Sequence, residues 1–95
     1  MATLQIEHGV ADFTRWKAAF DSDPADRRGS GVLRYGVQRR VDDPNYVVID
    51  LEFAGTEEAR AFLEKMRAIW ARVQGMLTSE PRTRILEEVE AARLT

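Results

Sequence analysis

The stretch VLRYGVQRRVDDPNYVVIDLEF, residues 32–53, decides the fold. Its two halves, Val32–Val41 and Tyr46–Phe53, read as strands, and Asp42-Asp43-Pro44-Asn45 between them is a run of turn formers. Placing Val41 opposite Val47 sets Arg39, Val37 and Tyr35 across from Ile49, Leu51 and Phe53. One face of this hairpin then collects the apolar and aromatic groups with a single arginine. The other carries Arg34, Gly36, Gln38 and Arg40 against Val48, Asp50 and Glu52. Strand side chains alternate with period two, so a slip by one residue would mix the two sets.

Working outward, Ala2–His8 alternates in the same way, with Leu4 and Ile6 on one side and Thr3, Gln5 and Glu7 on the other, and Gly9 ends it. Asp12 stands where an N-cap belongs, ahead of Phe13, Trp16, Lys17 and Phe20 at helical spacing. Asp23-Pro24 interrupts that helix and is expected either to end it or to cap a short further turn, and Gly29-Ser30-Gly31 closes the segment as a loop. Beyond the hairpin, Gly55 and the N-cap candidate Thr56 lead into a helix whose stripe is Ala59, Phe62, Leu63, Met66, Ile69 or Trp70, and Val73. Glu57 and Glu58 in its first turn complement the helix dipole. Gly75 and Ser79-Glu80-Pro81 break it, Arg82–Val89 forms a last strand, and Ala91–Thr95 is expected to fray. The order βαββαβ predicts an α+β, ferredoxin-like domain over residues 1–95: a four-stranded antiparallel sheet with two helices on one face.

Composition narrows the function classes. Ninety-five residues make one domain with a thin core, and cores of that size are often helped by oligomerisation. With 14 basic and 16 acidic residues the net charge is −2, so no chain-wide field draws nucleic acid or anionic membrane. The absence of cysteine removes disulfides, thiolate catalysis and Cys-ligated metal, and fits a reducing compartment. MATLQIEHG, residues 1–9, has neither a basic n-region nor a long apolar stretch, so a cytoplasmic location is expected. One histidine is too few for a zinc site, and no glycine-rich phosphate loop or Ser/His/Asp spacing is present, so neither metal nor cofactor is expected.

The face without helices is left to solvent or to a partner. It carries Gln5, Glu7, Arg34, Gln38, Arg40, Val48, Asp50, Glu52, Arg84 and Leu86, a mixed set that suits a free polar face or a polar chamber between two sheets. Asp50 and Glu52, two apart on one strand, project together. Buried, one could act as an acid or base; the commoner reading is a structural network with Arg34, Gln38 and Arg40. His8 alone titrates near neutrality, yet alternation puts it on the helix side with Leu4 and Ile6, where a strand-end histidine satisfied by backbone is the usual reading. Trp16 and Trp70 could stack on a flat substrate, although both sit on stripes that ordinarily serve packing. Tyr35 is expected to hydrogen-bond at the rim, and Tyr46, near the hairpin on the polar face, is better placed for a ligand.

His8 followed by Val10-x-Asp12-Phe13-x-x-Trp16-Lys17-x-x-Phe20, the Asp42–Val47 hairpin, Ile49–Phe53 and Glu58-Ala59-x-x-Phe62-Leu63 resemble, in order and spacing, proteins of the dimeric α/β barrel superfamily. The likeness is to small cyclase or antibiotic-biosynthesis-monooxygenase-like proteins. It implies a homodimer whose two sheets close a barrel with the helices outside. A haem-degrading member would carry a histidine on the second helix, and Glu57–Gln74 has none. Two functions follow from the resemblance: a homodimer that binds a small molecule between sheet and helices, or a cofactor-independent cyclase or monooxygenase acting on an aromatic or polyketide-like substrate. Candidate catalytic residues are Asp50, Glu52 and His8, and candidate ligand contacts are Arg34, Gln38, Tyr46, Asp50 and Glu52.

Overall fold

Strand β1, Ala2–Gly9, is the spine of the sheet. The computed structural model describes residues 1–95, the side chain of Gln74 excepted. After β1 come α1 (Phe13–Asp21), β2 (Arg34–Arg40), β3 (Asp43–Phe53), α2 (Thr56–Arg72), a 3₁₀ turn (Gln74–Met76) and β4 (Arg82–Glu87). The strands form one antiparallel sheet in the order β2-β3-β1-β4, the ferredoxin-like arrangement.

Local chemistry sets the element ends. Asp12 caps α1 through its carboxylate, which accepts from the Thr14 N–H at 3.1 Å. Past α1 the chain turns at Asp23 and Asp26, both in the left-handed region with φ of 57° and 50°. Pro24 therefore does not open a further helical turn. The Asp23 carboxylate accepts the Arg27 N–H at 3.0 Å instead, a local bond that helps a non-glycine residue hold this backbone conformation. The N-cap of α2 is Gly55 rather than Thr56; it makes no side-chain cap, and Glu57 and Glu58 supply the negative charge in the first turn. Helix α2 stops at Arg72, and Val73 is its C-cap. Strand β4 stops at Glu87, short of Val89, and residues 88–95 have no regular structure.

The hairpin keeps its two faces but not its expected pairing. Arg39 lies opposite Val47, Val37 opposite Ile49 and Tyr35 opposite Leu51, a shift of two residues from Val41 against Val47. The chain reverses at Val41 and Asp42, so Asp43-Pro44-Asn45 belongs to β3 and not to the turn. Arg40 clasps Asp42 with two bonds, Nε to Oδ1 at 3.0 Å and Nη2 to Oδ2 at 2.9 Å, and the ladder is irregular between Arg39 and Arg40. Pro44 stands at the strand's start beside that irregularity, where strands tolerate proline.

Leu4, Ile6, Val47, Ile49, Leu51 and Phe53 form the buried face, covered by Trp16 from α1 and Ala59, Phe62 and Leu63 from α2. Phe62 packs on Phe53 with ring centroids 5.5 Å apart. Phe62→Ala should cost about 3–5 kcal/mol of unfolding free energy, read by urea denaturation, since the pocket above Phe53 cannot collapse onto an alanine. A loss under about 1 kcal/mol would show that α2 does not pack through this stripe.

Candidate functional site

Between the sheet and the two helices the core is not filled. A pocket of about 100 Å³, open in part to solvent, lies there, well above the roughly 10–15 Å³ that one water requires. Ile6, His8, Ile49 and Leu51 make its floor; Trp16 and Phe20 of α1 face Phe62, Met66, Ile69 and Trp70 of α2 across it. Met76 and Leu77 close one side, and Asp23, Pro24, Ala25 and Arg27 of the loop after α1 line another part of the wall.

His8 is the one buried polar side chain among the described residues, 1% exposed. Alternation along β1 aims it at the helices beside Leu4 and Ile6, as the sequence predicts. Its ring is bracketed edge-on by the two indoles, with centroids 5.9 Å from Trp16 and 6.5 Å from Trp70. Nδ1 lies 3.2 Å from the Gly9 carbonyl. A carbonyl can only accept, so in the neutral ring Nδ1 carries the proton and Nε2 is left as an acceptor. Burial pushes the imidazole below its ordinary pKa, the Gly9 carbonyl opposing this in part.

The backbone around His8 is pinned from three sides. Gly9 accepts from the Thr78 N–H at 3.1 Å and donates to Ser79 Oγ at 2.9 Å. Val10 donates to the Asn45 carbonyl at 2.7 Å and pairs with Leu77 as an isolated bridge. Asn45 Oδ1 in turn accepts from the Phe13 N–H at 3.0 Å, tying the start of α1 to β3. A Cβ on Gly9 would collide with the Thr78 hydroxyl, so this approach needs glycine.

At the loop end, Arg27 is held by stacking and by bonds. Its guanidinium lies 4.0 Å from the centre of the Phe20 ring and 4.6 Å from that of Tyr35. It donates to the Phe20 carbonyl at 2.9 Å and pairs with Asp23 at 3.2 Å. Tyr35 serves here through its ring, and among the described residues its hydroxyl has no hydrogen-bond partner, contrary to the expected rim bond.

The acidic pair and its neighbours lie on the opposite, open face of the sheet. Arg34 pairs with Glu52 at 3.2 Å, with side chains 79% and 25% exposed. Asp50 accepts from Gln5 Nε2 at 2.9 Å; Gln5 Oε1 accepts from Arg84, which also lies 3.9 Å from Glu7. The expected network is present in part: Arg34 pairs with Glu52 as expected, while Asp50 and Arg40 take other partners. Asp50 faces Gly36 on β2 and bonds across to β1, while Arg40 is engaged by Asp42 in the hairpin tip. Gln38 is exposed opposite Val48, and Tyr46 lies under Arg40 at 5.8 Å. The structure thus separates His8 from Arg34, Gln38, Tyr46, Asp50 and Glu52 by the thickness of the sheet. Sequence reasoning named His8, Trp16 and Trp70 but read Met66, Ile69, Met76 and Leu77 only as packing or not at all. The available signal was a lone histidine sharing a face with two tryptophans. Among the described residues no cluster of three or more His, Cys, Asp or Glu could hold a metal, and no helix is long and apolar enough to cross a membrane.

No protein-family model and no curated protein matches the sequence. Solved structures do match in shape. SnoaB, a cofactor-independent oxygenase from Streptomyces nogalater, solved as a mutant, superposes with a TM-score of 0.75 at 14% identity, over 95% of this chain and 94% of that one. Rv0793 from Mycobacterium tuberculosis gives 0.74 at 14% identity, over 97% and 98%. An antibiotic biosynthesis monooxygenase gives 0.73 at 10% identity, over 95% and 100%. At such identities the likeness shows a shared ferredoxin-like fold.

The buried imidazole makes a pH test. With its native pKa below 6.5, His8 binds fewer protons in the folded than in the unfolded chain between that lowered value and 6.5. Stability should therefore be full above about pH 6.5 and fall as pH drops through this window. His8→Leu should flatten the curve there, leaving only the carboxylate titration at lower pH; equilibrium unfolding from pH 7.5 to 5 measures it. An unchanged slope in the variant would show that His8 is not buried neutral.

Proposed function

We propose that the chain is a cytoplasmic homodimer whose subunits each take up a small, flat, apolar molecule in the cavity between sheet and helices, with His8 as its polar anchor. The cavity carries the reading. Trp16, Phe20, Met66, Ile69 and Trp70 leave part of their apolar surface unpacked around an opening of about 100 Å³, surface that a well-filled core would bury. A 95-residue domain with a thin core gains by filling such a space unless the space is used. The aromatic walls and an imidazole acceptor reachable from the pocket are what a small-molecule site consists of, mostly apolar surface with few directed polar groups.

The second copy is supported by the uncovered sheet face. Gln5, Glu7, Val48, Asp50 and Glu52 are already half-buried there, while Leu86 is exposed near its edge. Facing another sheet, Arg34, Gln38, Tyr46, Asp50 and Glu52 would line a polar chamber distinct from the apolar cavity.

A second reading, cofactor-independent cyclase or monooxygenase, is favoured by the fold shared with SnoaB and by the neutral imidazole. In that reading Nε2 of His8 accepts a proton from an enol or an activated C–H of the bound molecule. The carboxylates Asp50 and Glu52 are its alternatives, acting in the polar chamber.

Two measurements test the main reading. Filling the cavity with Met66→Trp should raise the thermal midpoint or leave it unchanged while abolishing quenching of Trp16 and Trp70 by small aromatic molecules. Quenching that survives the filled cavity would place binding elsewhere. Light scattering should give a dimer at micromolar concentration, and a monomer throughout would remove the second sheet from the proposal.

A further inference from the structure

We infer that the pocket's guest is a neutral molecule of one aromatic ring bearing a hydroxyl or N–H donor, a phenol in its simplest form, and that the further rings of fused polycyclic molecules gain no added hold in it. This rests on the cavity being a binding site, as proposed above, and narrows that site to a chemical class.

Size sets the first limit. An apolar cavity of about 150 Å³ accepts one benzene, and the space here is about 100 Å³. A single ring enters if the walls yield slightly, and Met66 and Met76 on those walls are unbranched side chains suited to yielding. A second fused ring would have to press against Trp16 or Trp70, which hold the His8 ring edge-on, or project from the pocket's open side into solvent.

Charge sets the second limit. Besides His8 and the indole N–H groups of Trp16 and Trp70, the charged or polar side chains on the wall are Asp23 and Arg27, which are paired with each other at 3.2 Å. Arg27 is further committed to the Phe20 carbonyl and to the rings of Phe20 and Tyr35. An ionised guest would lose its hydration and meet no free counter-charge among the described residues.

Hydrogen-bond polarity sets the third. The Gly9 carbonyl takes the Nδ1 proton, so the ring offers the interior an acceptor. An acceptor in an apolar pocket selects a guest that donates, because a guest without a donor leaves it unpaired.

The test is a binding series on the full chain by calorimetry and tryptophan quenching, with phenol, benzene, benzoate, 1-naphthol and anthracene-type phenols. Phenol is expected to bind at least about tenfold tighter than benzene, the usual discrimination against leaving a buried polar group unpaired. Benzoate is expected not to bind, and 1-naphthol to bind no tighter than phenol although its apolar area is larger. His8→Leu should bring phenol down to the affinity of benzene while benzene binding persists, and that persistence shows the variant to be folded. If His8→Leu does not fold, the His8 ring resonances of the native chain must shift with phenol and not with benzoate. Tighter binding of the fused-ring phenols overturns the size limit and leaves the cavity a site. Equal affinity for benzene and phenol, or strong binding of benzoate, overturns the donor or the charge limit in the same way. If no aromatic in the series binds at millimolar concentration, the reading of the cavity as a binding site fails with it.

Discussion

The antiparallel pairing of Ala2–Gly9 with Tyr46–Phe53 puts Leu4, Ile6 and His8 on the same face as Leu51, Ile49 and Val47, and the rest of the domain is arranged around that one apolar strip. Both helices must lie over it, because no other surface of the sheet offers enough apolar area. Helix α1 has nine residues and covers the strip with three aromatics; α2 has seventeen but buries fully only Ala59, Phe62 and Leu63. Farther along α2, Met66, Ile69 and Trp70 are half-buried. The two helices, of unequal length, do not cover the strip completely, and His8 lines the space they leave.

How far the fold was legible follows from what a period-two pattern can encode. Parity was readable: from Arg34 to Arg39 and from Val47 to Glu52 the pairing keeps each residue on the face its alternation assigns. Absolute register was not, since a shift of two residues leaves both faces unchanged. The tip then depended on whether Asp42–Asn45 formed the turn or Val41–Asp42 did, and the Arg40–Asp42 clasp belongs to the second arrangement. The side of the sheet on which His8 falls was legible for the same reason. The cavity was not. A stripe such as Phe62, Met66, Ile69 and Trp70 reads identically whether its neighbours fill the space or stand back from it. Void volume is a property of how elements are placed, and no single element's sequence records it.

The two faces of the sheet pose opposite electrostatic problems. On the open side, ion pairs such as Arg34–Glu52 sit partly in water, where such pairs contribute only about 0–1 kcal/mol; the Asp50–Gln5–Arg84 chain orders the surface more than it stabilises the fold. On the helix side, one imidazole among apolar groups is kept neutral by burial and oriented by its own strand's carbonyl. Its tautomer is thus set by β1 backbone alone, independently of any guest.

Strand β1 lies inside the sheet, and its outer neighbour β4 joins it through pairs such as Ala2 with Glu87 and Thr3 with Leu86. The first strand of this sheet to be synthesised is thus completed by the last. While the nascent chain lengthens, one edge of β1 keeps its backbone donors and acceptors unpaired, the kind of edge that other chains can join. Closing that ladder means bringing together segments nearly the whole chain apart, at the entropy cost of a long loop. Vectorial synthesis can thus make the hairpin early, but the sheet that holds His8 in place is finished only after translation has passed Glu87.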